Sequence, residues 1–128
     1  MHAVRTALWV MALVIVLGAC RSKGAETSVG PDPDTPVVVE VENHYQGDVV
    51  VYLAQGSQRQ RLGMVTALSR ATFSFPWRRL QESGSNRLLA YPIAGARAYA
   101  SEPLYVQPGQ SITWTLESDL ERSNLAVY

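Results

Sequence analysis

The sequence predicts an all-β fold: one antiparallel β-sandwich of seven or eight strands, Greek-key or immunoglobulin-like, behind a signal peptide and a disordered tether. Three observations carry this. Apolar and polar residues alternate with period 2 in short runs across residues 36–128. Turn-forming residues separate those runs at short spacing. The same region holds no apolar pattern of helical period long enough to compete.

The chain begins with a leader. Arg5 supplies a positive charge, and Ala7 to Leu17 (ALWVMALVIVL) is uninterrupted apolar sequence, as in a secretory signal. The uncharged stretch between Arg5 and Arg21 is 15 residues. As a helix it covers about 22 Å at about 1.5 Å per residue, short of a hydrocarbon core about 30 Å thick. A spanning helix is therefore the poorer reading. Leu17-Gly18-Ala19-Cys20, an aliphatic residue, two small ones and the sole cysteine of the chain, resembles the lipobox of bacterial lipoproteins. The resemblance implies cleavage before Cys20, a diacylglycerol thioether on its sulfur and acylation of the new amine, with membrane lipid as the first partner. No second cysteine offers a disulfide as an alternative role. Two or more acyl chains anchor firmly where one holds only reversibly. Arg21, where enterobacterial lipoproteins retained in the inner membrane carry aspartate, points to the outer membrane, facing the periplasm.

The chain divides into a signal peptide (1–19), a lipid-anchored flexible linker (20–35) and a β-sandwich domain (36–128). The linker (RSKGAETSVGPDPDTP to its junction at 36) is polar and proline-bearing, with a root-mean-square reach of roughly 20–25 Å. Within the domain eight arginines (59, 61, 70, 78, 79, 87, 97, 122) balance eight acids (40, 42, 48, 82, 102, 117, 119, 121), and lysine is absent. No basic excess argues for nucleic acid. Without disulfides, stability rests on the packing of Phe73, Phe75, Trp77, Trp114, the tyrosines and two valine-rich strands.

The strands follow in order. Val37 to Glu42 (VVVEVE) puts Val37, Val39 and Val41 on one face and Glu40 and Glu42 on the other. After a turn at 43–48, Val49 to Ala54 (VVVYLA) is apolar on both faces, as in a central strand. Gly56-Ser57 leads into Gln58 to Val65. Ala71 to Phe75 turns Ala71, Phe73 and Phe75 inward and ends at Pro76. A loop over 77–86 precedes Arg87 to Ile93, and Tyr99 to Val106 follows, both interrupted by proline. Pro108-Gly109 is a type II turn signal. Ser111 to Glu117 (SITWTLE) directs Ile112, Trp114 and Leu116 inward. Ser118 to Asn124 is a short helical turn and Leu125 to Tyr128 an edge strand. The valine strands, the proline-glycine turn and SITWTL resemble small β-sandwich lipoproteins of bacteria, a likeness of architecture that brings no active-site motif with it.

Catalytic equipment is missing from this inventory. The domain has one histidine, His44, and no nucleophile motif accompanies it. His44 with Glu42 or Met64 falls short of a closed zinc set, and blue-copper sites need two histidines and a cysteine. Glu40 and Glu42 share one strand face, whereas glycosidase carboxylates flank a cleft. No glycine-rich phosphate loop occurs. The expectation is a non-enzyme with no metal and no cofactor.

Two clusters remain as binding candidates. One is an arginine patch: Arg59, Arg61, Arg70, Trp77, Arg78 and Arg79, with Trp77-Arg78-Arg79 as its anchor, suited to an envelope protein partner. The other is Tyr91, Tyr99 and Tyr105, suited to glycan contact if exposed. The resulting expectation is a protein-interaction or envelope-structural module, with carbohydrate or peptidoglycan binding as the alternative.

Overall fold

Val37, Val39 and Val41 alternate with half-exposed neighbours, and all three are fully buried. The same alternation buries Val49, Val51 and Leu53 in the next strand and Ile112, Trp114 and Leu116 near the C-terminus. Each strand therefore buries one face only, and two sheets must pack those faces together. The computed structural model describes residues 30–95 and 97–128. The leader, the lipobox with Cys20 and most of the linker lie outside the described residues.

Eight strands form two four-stranded sheets. The strands are β1 (Pro36–Asn43), β2 (Val49–Gln55), β3 (Gln58–Val65), β4 (Arg70–Pro76), β5 (Asn86–Pro92), β6 (Tyr99–Ala100), β7 (Ser111–Leu116) and β8 (Asn124–Val127). The first sheet has the order β4-β1-β7-β8 and the second β3-β2-β5-β6. The two sheets share one core, in which a glycine is required. The Phe73 ring reaches across from β4 to Gly63 on β3, where a β-carbon would stand 2.4 Å from it. Tyr99 on β6 stacks on Trp114 of the opposite sheet, with ring centroids 6.2 Å apart.

One pairing departs from a wholly antiparallel sandwich. β1 and β7 run parallel, Val39 opposite Ile112 and Val41 opposite Trp114. Parallel neighbours need a long crossover, and the chain supplies one by building β2 to β6 between them. The expected strand over Tyr99 to Val106 also shortens to β6. Beyond Ala100 the Ser101 hydroxyl, not a backbone carbonyl, accepts from Leu88 N at 2.9 Å. Pro103 then has no N–H to give a ladder. Leu104 N still reaches Asn86 O at 2.8 Å, so the segment stays against β5.

The turns behave as their residues require. Gly109 adopts φ 90° after Pro108, and Gln110 N bonds Gln107 O at 3.0 Å across them. At the β1–β2 junction Asn43 is fully buried. Its amide donates toward the carbonyls of Gly47 and Thr66, each at 3.0 Å, and its Oδ1 accepts from Tyr45 N. Leu68 lies in the left-handed region at φ 55°, unfavourable for a side chain with a β-carbon by about 1–2 kcal/mol.

The sandwich has two distinct ends. The chain enters at the end carrying the β2–β3 turn, the 3-10 turn Trp77–Leu80 and the Pro108-Gly109 turn. Here Trp77 N bonds Thr35 O and Arg78 N bonds Pro33 O, both at 2.8 Å, and Arg78 pairs with Asp34. Residues Pro33 to Thr35 are thus bonded to the domain. The far end gathers the loops at 44–48, 66–69 and 117–123, with residues 93–95 and 97–98.

Candidate functional site

Strand-borne charge is sorted between the sheets. β2, β3 and β5 carry Arg59, Arg61 and Arg87 and no carboxylate. The first sheet carries Glu40, Glu42 and Arg70. The second sheet is thus formally +3, counting three arginines against no acids, and the first −1, counting one arginine against two acids. Overall neutrality conceals this.

Register explains why these arginines share a surface. Val51, Leu53, Leu88 and Ala90 point into the core, so their neighbours Tyr52, Ala54, Arg87, Leu89 and Tyr91 point out. On β3, Arg61 lies opposite Tyr52, Arg59 opposite Ala54, and Met64 opposite Val50. A bulge between these pairings keeps both arginines on the outer face. On β5, Arg87 lies opposite Ala54 and Tyr91 opposite Val50.

On this face Arg59, from the edge strand β3, lies across two aromatic rings. Its guanidinium carbon is 5.0 Å from the Tyr52 centroid and 4.9 Å from that of Tyr91. The two tyrosines meet edge to face at 5.2 Å, and Arg59 donates to the Tyr91 hydroxyl at 2.5 Å. Each contact of this kind contributes about 0.5–1 kcal/mol at an exposed site. Arg87 donates to Ser101 O at 2.8 Å. Among the described residues none of these three arginines forms an ion pair. Three clefts lie at the two ends of the sandwich, and none of them is lined by Arg59, Arg61, Arg87, Tyr52 or Tyr91.

The expected arginine patch is divided by the fold. Arg59 and Arg61 belong to the face just described. Arg70 lies on the other sheet and pairs with Glu42 at 3.0 Å and Glu40 at 4.0 Å. Trp77, Arg78 and Arg79 sit at the entry end. The Trp77 ring packs against the core, and its Nε1 donates to Val106 O at 3.0 Å. Arg78 is paired with Asp34, and Arg79 with Glu82 at 3.5 Å. The three tyrosines are separated as well. Tyr91 is on the outer face, Tyr99 faces Trp114 inside, and Tyr105 stands 81% exposed between buried Leu104 and Val106.

Tyr52 and Arg87 complete the face and escape a linear reading. Alternation alone places Tyr52 outward between Val51 and Leu53. Its meeting with Arg59 depends on the β2–β3 register and its bulge. His44 lies between Glu42 (3.8 Å) and Glu117 (3.5 Å), at the margin of the first sheet. No group of three or more histidine, cysteine or acidic residues able to hold a metal occurs among the described residues.

No known protein family matches the chain, and no curated protein is similar to it in sequence. Among solved structures, an NMR structure of a protein from Eubacterium rectale is similar at a TM-score of 0.43, with 11% identity over 77% of this chain and 92% of that one.

Proposed function

We propose that the protein is a non-catalytic lipoprotein of the bacterial cell envelope, anchored through Cys20, whose sandwich docks an acidic surface of another envelope protein. The docking surface is the outer face of β3, β2 and β5. The observation that carries this reading is the sorting of charge: three arginines and two tyrosines on one sheet face, with no acid on its strands. Tyrosine and arginine are the residue types that dominate interface hot spots. Arg59 is also held in place by both rings, so little side-chain freedom is lost on binding. A small molecule needs a concave site, and the three clefts described at the ends are lined by none of these five residues. A sugar ring stacks on an open aromatic face, whereas Arg59 already covers Tyr52 and Tyr91. The lipobox favours lipid anchoring, and arginine at position 21 favours the outer membrane, facing the periplasm.

The test places a photo-crosslinking residue in the full-length protein in cells, at Leu89 on the proposed face or at Thr72 on the opposite sheet. Position 89 is expected to give discrete protein adducts, lost when Arg59→Glu and Arg61→Glu are added. Equal adducts from position 72, or adducts indifferent to the charge reversals, overturn the face. Saturable peptidoglycan binding that survives those reversals and is lost on Tyr105→Ala favours the carbohydrate reading instead.

A further inference from the structure

At the far end, opposite the point where the chain enters, a groove of about 300 Å³ opens between two loops. One wall is Arg97 and Ala98, leading into β6; the other is Ser118 to Glu121, following β7. Tyr45 and Tyr99 also line it, with Leu120, which is buried. The chemistry of the walls is opposed. Arg97 brings a guanidinium that makes no ion pair among the described residues. Asp119 and Glu121 bring carboxylates. Asp119 is partly engaged, since its Oδ1 accepts from Glu121 N at 3.1 Å and its Oδ2 stands 3.7 Å from Arg122. The Glu121 carboxylate has no such partner among the described residues.

Tyr99 joins the groove to the core. Tyr99 stacks on Trp114, which is fully buried, and its hydroxyl donates to Ser123 O at 3.4 Å. Burial raises the Tyr99 pKa above the ordinary tyrosine value, and the charges of Glu102 and then Glu121 push it the same way. Glu121 and Tyr99 line the same groove. A groove lined by a cation, two anions and aromatic rings complements a ligand that carries both charges.

We infer that this groove binds a small zwitterion, an amino acid or dipeptide, with its carboxylate on Arg97 and its ammonium on Glu121 and Asp119. The two loops come from different sheets, so the site exists only in the folded sandwich. It shares no residue with the Arg59 face and stands or falls separately from it.

The test is NMR titration of the purified full-length protein in detergent micelles with alanyl-alanine. Two control ligands are its N-acetyl form, which lacks the ammonium, and its C-terminal amide, which lacks the carboxylate. The expected result is saturable shifts at Tyr45, Tyr99 and Leu120 with alanyl-alanine alone. Arg97→Ala and Glu121→Gln should each weaken binding about tenfold or more, the loss of one charge-assisted contact. Both positions are exposed, so the variants should keep the spectrum of the folded protein. Absence of shifts with alanyl-alanine and with free alanine overturns the inference. So does equal response to all three peptide ligands, or unchanged affinity in both variants. A response to free alanine alone identifies the amino acid as the better ligand.

Discussion

A β-carbon at position 63 would stand 2.4 Å from Cε1 of Phe73 and 3.1 Å from its Cδ1. The Phe73 ring is wedged between the sheets and is not the free end of a flexible chain, so one must shift. Gly63→Ala should therefore cost about 1–3 kcal/mol, measured by urea denaturation. A neutral result would mean that Phe73 can turn away without loss. Trp114 presents the opposite balance. Its Nε1 is buried with no acceptor among the described residues, a penalty of about 1–3 kcal/mol. Its ring is fully buried, and truncation to alanine should cost about 3–5 kcal/mol. Packing wins over the orphaned donor, and the residue is kept as tryptophan.

At the scale of elements, the 3-10 turn Trp77–Leu80 changes role from docking loop to structural clamp. It fastens the incoming chain at Pro33 and Thr35 and closes the entry end through Val106. Trp77→Ala should then lower stability by about 2–4 kcal/mol, combining lost packing with an unmade hydrogen bond. A melting temperature unchanged by this substitution would place the ring outside the core. The clamp has a second consequence. A domain cut to begin at residue 36 loses two backbone hydrogen bonds and the Asp34 pair. It should be less stable by about 1–3 kcal/mol than one beginning at residue 30, and equal midpoints in urea would show those bonds to be idle.

At the scale of the molecule, a chain of zero formal net charge presents unequal charge on the strands of its two sheets. Docking through the second sheet should weaken steeply with salt, because the Debye length falls from about 10 Å at 0.1 M to about 3 Å at 1 M. Crosslink yield from position 89 that ignores added salt would indicate an apolar contact, through Leu89 and Met64, instead of a charged one. The anchor is testable at the same scale. Fatty-acid analogues should label the protein, and Cys20→Ser should abolish the label. Retention of both label and membrane fraction by the serine variant would sink the lipobox reading.

Period-2 alternation is a local property, and by itself it determined the strand faces. It points Val37, Val39, Val41, Ile112, Trp114 and Leu116 inward, and all six are buried. The Pro108-Gly109 turn was legible for the same reason, since φ preferences belong to single residues. The all-β sandwich follows from those two signals. Pairing is not local. The parallel contact of β1 with β7 joins residues far apart in the chain, and nothing in either strand names its partner. The fold divides the arginines, because the ion pairs of Arg70, Arg78 and Arg79 depend on tertiary placement, as does the meeting of Arg59 with Tyr52 and Tyr91. Balanced composition hid the sorting of charge, because composition sums over both sheets, whereas a partner meets only one face at a time.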